Sequence, residues 1–150
     1  MEFDSIPPPG ASSRMADDQI YRQLQVQLDR YPIGYPATKS GVEIDILKYF
    51  FTPREAAIAL CLSLRSTDVD AIRKRLKNKF RIEFSHEEMT GQLDGMFMKG
   101  VIRRSQSASS PRYGAAMLAI GMFEYHIDDL TPELVEMMHR YFDEAFGAEF

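Results

Sequence analysis

Apolar side chains recur three and four residues apart over several stretches of the chain, and each stretch predicts a helix with one buried face. Ile20, Leu24 and Leu28, with Tyr21 beside them, form the first, and Asp17 or Asp18 is placed to cap it. The run Tyr31-Pro32-Ile33-Gly34-Tyr35-Pro36 ends that helix, because each proline lacks a donor and biases its predecessor toward extended backbone. A short helix follows Ser40-Gly41, aligning Ile44, Leu47 and Phe51. Thr52-Pro53-Arg54-Glu55 then reads as a helix start, with a Thr cap, proline at the first position and a glutamate to close a capping box. The helix it opens, to about Leu64, is apolar on most sides through Ala56, Ala57, Ile58, Ala59, Leu60, Cys61 and Leu62, which makes it central and buried.

Ser66-Thr67-Asp68 caps a helix with the stripe Val69, Ile72 and Leu76. Ser85-His86-Glu87-Glu88 is a second capping box, opening a helix that turns Met89, Leu93, Met96 and Phe97 inward and stops at Gly100. The period then changes. Val101-Ile102-Arg103-Arg104 reads as a strand, Ser105 to Pro111 as a polar turn, and Arg112-Tyr113 as the returning strand. Two helices followed by such a hairpin are the helix-turn-helix and wing of a winged-helix domain. A last helix begins at Thr131-Pro132-Glu133 and carries Leu134, Met138, Tyr141 and Phe142 on one face, with Met137 at its margin. Residues 1–16, with Pro7-Pro8-Pro9-Gly10 and Ser12-Ser13, show no periodicity and read as a flexible tail. The fold expected is therefore mainly α: one winged-helix domain over residues 17–150, with a two-stranded β wing and extra helices at both ends.

Composition narrows the function. The 150 residues are 45% hydrophobic and 27% charged, an ordinary globular profile for one domain. No stretch approaches the ~20 apolar residues of a membrane span, and no signal peptide is recognisable, so a cytoplasmic location without membrane association is expected. Charge is uneven. Residues 65–83 hold seven basic and three acidic side chains, net +4, and residues 100–123 hold three arginines and no acid. Residues 124–150 carry eight acids and one arginine, net −7. Arg73, Lys74, Arg75, Lys77, Lys79 and Arg81, with Arg103, Arg104 and Arg112 of the wing, could line up as a basic strip. A solvated, salt-bridged face is the plainest reading of such a run; contact with nucleic acid or with an acidic protein are the sharper ones. Against DNA, the helix that would read bases begins Ser85-His86-Glu87-Glu88. Carboxylates there suit the helix dipole but repel phosphate, and Gln92 is the one plausible base reader.

From about Gln19 to Gly147 the chain resembles the N-terminal region of a family of 4Fe-4S ferredoxin-type iron–sulfur proteins. The resemblance is carried by Leu28-Asp29-Arg30-Tyr31-Pro32-Ile33-Gly34-Tyr35-Pro36-Ala37-Thr38, Ser40-Gly41-Val42-Glu43-Ile44, Leu47-Lys48, and Phe51-Thr52-Pro53-Arg54-Glu55-Ala56. Lys99-Gly100-Val101-Ile102, Phe123-Glu124-Tyr125 and the helix ending Tyr141-Phe142-Asp143-Glu144 add to it. It implies a winged-helix module that precedes cysteine-rich cluster motifs, and a redox context. Cys61 is the one cysteine, whereas a cluster takes about four thiolates. No cofactor is therefore expected in this chain; a 4Fe-4S cluster would need cysteines beyond Phe150.

Other candidates are weaker. Gly91 and Gly95, four apart in one helix, cost about 1 kcal/mol each relative to alanine. A close-packed neighbour explains them, within the domain or, more sharply, on a partner docked in a groove. His86, His126 and His139 lie on separate elements without metal-ligand spacing. Cys61, among apolar neighbours, reads as a small core residue. Tyr31, Ile33 and Tyr35, held between prolines, read as a lid over the helices or an exposed aromatic patch. No phosphate loop, nucleophile elbow or other catalytic motif is present. The reading is a non-enzymatic interaction or regulatory module associated with iron–sulfur electron-transfer proteins, with a DNA-binding transcriptional regulator as the alternative. A protein partner is expected, and the apolar face of the last helix either packs on the domain or pairs two copies.

Overall fold

A computed structural model describes residues 11–106, 110–117 and 131–146. Residues 1–10 of the expected tail, part of the expected turn (107–109), Phe123-Glu124-Tyr125, His126 and the last four residues lie outside the described residues. Helix α1 (Ala11–Asp29) starts ahead of the anticipated Asp17–Asp18 cap. After Gly10 the sequence holds no glycine or proline before Pro32, so nothing interrupts extension of the helix toward its N-terminus. Its anticipated stripe of Ile20, Tyr21, Leu24 and Leu28 is buried.

The proline segment straps across the helical core. Tyr35 is 1% exposed: its backbone N–H donates to Asp29 Oδ1 (2.9 Å), and its ring stacks on Tyr141 at 5.0 Å. Gly34, at φ +81°, makes the bend that brings the chain against Asp29. Tyr31 is half-buried and Ile33 is 47% exposed, so the lid closes through Tyr35.

Helix α2 (Val42–Phe50) packs between α1 and the last helix. Helix α3 (Pro53–Leu60) has both hydrogen bonds of the anticipated capping box, Glu55 N to Thr52 Oγ1 (3.1 Å) and Thr52 N to Glu55 Oε1 (2.9 Å). It stops at Leu60, not about Leu64, because the chain beyond is drawn out alongside the hairpin: Ala115 N donates to Ser63 O, and Thr67 and Tyr113 exchange two backbone bonds of 2.9 Å.

Helix α4 (Val69–Phe80) is capped by Asp68, and helix α5 (His86–Met98) by the Ser85–Glu88 box. Gly100 (φ +78°) ends α5 in a Schellman turn, with Val101 N bonding Met96 O and Gly100 N bonding Phe97 O. Strands β1 (Ile102–Gln106) and β2 (Pro111–Ala115) pair antiparallel, with Ile102 opposite Ala115 and Arg104 opposite Tyr113. Helix α6 (Pro132–Phe146) buries Leu134, Met138 and Tyr141 and packs on α2. Among the described residues the fold is thus six helices and one small antiparallel sheet, and the buried side chains form one cluster running from α1 to α6.

Candidate functional site

Helix α4 is amphipathic in the simplest sense: Val69, Ile72 and Leu76 face the core, and the remaining positions are largely cationic. Lys74, Lys77, Lys79 and Arg81 are exposed. Lys77 stands 3.8 Å from Glu83, and the Lys79 ammonium lies 5.6 Å from the Phe80 ring. Arg73 is held more firmly, donating through Nε to Phe84 O (2.9 Å) and pairing with Asp70 (2.8 Å). Arg81 closes the helix in the left-handed region at φ 61°. Asp70, Arg73, Lys74, Lys77, Glu83 and Phe84 line a recess of about 250 Å³.

The arginines of the β1–β2 hairpin are bonded within the domain, and Arg104 stays exposed. Arg103 folds back across the sheet, donating from Nε to Ala115 O (2.8 Å) and from Nη2 to Leu64 O. Gly114 lets it cross: a Cβ there would meet Arg103 Nη2 at 2.9 Å and Ser63 O at 3.1 Å. Arg112 donates to Ser66 O (3.2 Å). Arg104 pairs with Asp94 (3.0 Å) and lies over the Phe97 ring at 4.2 Å, which leaves Phe97 at the margin of the core and not inside it. Five arginines of the anticipated strip thus bond within the domain: Arg73, Arg75 (to Cys61 O, 3.0 Å), Arg103, Arg104 and Arg112. Of these, Arg75 and Arg104 remain exposed beside Lys74, Lys77, Lys79 and Arg81.

The start of α5 is acidic in space as well as in sequence. Glu87 and Glu88 are exposed, Glu88 closes the capping box, and His86 Nδ1 lies 3.0 Å from Asp70 Oδ1. Hydrogen bonds from His86 and Arg73 hold the Asp70 carboxyl below the usual carboxylate range. Gln92 is half-buried. Farther along, Tyr113, fully buried, donates to Asp94 Oδ1 (2.5 Å); burial and then that carboxylate push its hydroxyl up to about 12. Asp94 thereby joins helix α5 to both β1 and β2.

Gly91 and Gly95 are exposed, and a Cβ on either would meet nothing within 4 Å. Among the described residues, the close-packed intramolecular neighbour anticipated for them is not found. Met98, one turn on, is 78% exposed. Cys61 is buried, and burial pushes its thiol up to about 11, in keeping with a core role. Among the described residues no group of His, Cys, Asp or Glu converges as metal ligands would.

One polar cluster escaped the sequence reading. Glu43 is fully buried, accepting from Thr38 N (3.1 Å) and Thr38 Oγ1 (2.5 Å) and pairing with Arg22 (2.9 Å). Buried Gln25 donates to Tyr35 O (2.8 Å) nearby. These groups fasten the proline segment to α1 and α2; the one hint in the sequence is that Gln25 follows Leu24 and Glu43 precedes Ile44, both beside core positions.

No protein family, curated protein or solved structure matches this chain. No helix among the described residues is long and apolar enough to cross a membrane.

Proposed function

We propose that the chain is a non-enzymatic winged-helix docking module that receives a protein partner on the exposed cations of α4. The order helix, extended segment, two helices and hairpin over residues 53–115, with Thr67 bridging Tyr113, supports the winged-helix reading. The observation that carries the docking reading is the fate of the wing: Arg103, Arg104 and Arg112 are all engaged within the domain, while the base-reading end of α5 presents Glu87 and Glu88. A duplex laid on that surface would bring phosphates toward carboxylates, whereas a protein partner needs only the cations of α4. The resemblance to ferredoxin-type iron–sulfur proteins adds a context in which the module positions a cluster carried elsewhere.

The second reading is a DNA-binding regulator. It is favoured by Lys74, Lys77, Lys79 and Arg81, which stand exposed on the first helix of the pair, the one that crosses the phosphate backbone in helix-turn-helix complexes. Fluorescence anisotropy with mixed-sequence duplex DNA at about 50 and 200 mM salt separates the two, since phosphate-driven affinity falls steeply over that range. The docking reading predicts no binding at either salt. Binding at low salt that collapses at the higher one would put the regulator first.

A further inference from the structure

The apolar face of α6 is taken up inside the domain by Leu134, Met138 and Tyr141, which leaves its polar side to face outward. That side carries Glu133, Glu136 and Arg140, exposed along the cleft between α6 and α2, a space of about 440 Å³. The α4 recess carries Asp70, Lys74 and Lys77, also exposed. Read in opposite chain directions, the two rows have the same spacing, four residues and then three, and inverted charge. Asp70 faces Arg140, Lys74 faces Glu136, and Lys77 faces Glu133 when the helices lie antiparallel. Positions three and four apart share one face of a helix, so each row is presented to a partner together.

We infer that two copies of this chain dock head to tail, the α4 row of one against the α6 row of the next. Two of the intrachain pairs are long, Lys77 to Glu83 at 3.8 Å and Arg140 to Glu136 at 3.9 Å, and can exchange for a closer partner. Asp70 is already held by Arg73 (2.8 Å) and His86 (3.0 Å), so the lysine–glutamate pairs carry the contact. Phe84 in one recess and Met137 in the other add apolar contact beside the charges. Exposed ion pairs are individually weak and screened, so the association is weak and salt-sensitive. Because the two surfaces differ, it is heterologous, and it closes or extends according to the rotation between copies.

This inference rests on reading α4 as a protein-docking surface, and sedimentation of the full chain tests it separately from DNA binding. At about 50 mM salt the weight-average mass is expected to rise with protein concentration above 17.2 kDa, and at about 500 mM to return to it. Lys74→Glu with Lys77→Glu, and separately Glu133→Lys with Glu136→Lys, are each expected to stay monomeric, with circular dichroism confirming the fold. An equimolar mixture of the two variants restores complementary rows and is expected to associate again, as is the variant carrying all four changes. A wild-type chain that stays monomeric at low salt overturns the inference, as do charge-reversed variants that still associate alone. Failure of the mixture to associate also overturns it, since the effect would then be one of net charge. Absence of DNA binding together with a monomeric chain sinks the second copy and leaves the docking reading standing.

Discussion

Arg103 shows how far a charged residue's role depends on distant backbone. In sequence it belongs with Arg104 and Arg112 as part of a cationic hairpin; in the fold it holds the carbonyls of Leu64 and Ala115 together beneath the sheet. Truncating it leaves two acceptors without their charged donor. Arg103→Ala is expected to lower the unfolding free energy by about 2 kcal/mol in urea titration, the scale of lost hydrogen bonds to a charged group. A change near zero would mean that the guanidinium faces solvent and is free for a ligand. Glu43 teaches the converse. Its charge marks it as a surface position by type, yet it sits fully buried, because the Thr38 backbone and hydroxyl, five residues away, and the Arg22 guanidinium of a distant helix meet it. Neither position could be read correctly without knowing which segments come together.

Elements were far more legible, because what starts and stops a helix is local. Thr52, Asp68 and Ser85 cap as their positions predict, each accepting from the backbone N–H three residues on, and Gly100 ends α5 as glycine at such a position does. The misjudged ends of α1 and α3 follow from nonlocal or permissive conditions. Ser63 to Thr67 is claimed by pairing with β2, and the stretch after Gly10 reads as tail by composition while containing nothing that breaks a helix. The two glycines of α5 are the element's weak point, costing about 1 kcal/mol each with no close contact in return among the described residues. Replacing both with alanine is therefore expected to raise the thermal midpoint, by roughly 2 kcal/mol of added stability. A lowered midpoint in calorimetry would show that backbone or a neighbour approaches that face more closely than the fold indicates.

At the scale of the molecule the governing feature is the separation of charge. A cationic α4 and an acidic C-terminal region sit on one chain of net charge −4, and the acidic start of α5 lies beside the cations, bonded through His86 to Asp70. The segmental charge was readable from the sequence. The turning inward of Arg103 and Arg112 was not, because that depends on where the Leu64, Ser66 and Ala115 carbonyls fall. The central proposal is that α4, and not α5 with the β1–β2 hairpin, is the contact surface. The most direct test is amide chemical-shift mapping of the ¹⁵N-labelled chain while duplex DNA is added at low salt and, separately, while the protein is concentrated. The account predicts shifts along Val69–Phe80 on concentration, and none at His86–Gln92 or in β1 and β2 on adding DNA. Saturable shifts at the start of α5 and along the hairpin in the presence of DNA would contradict it.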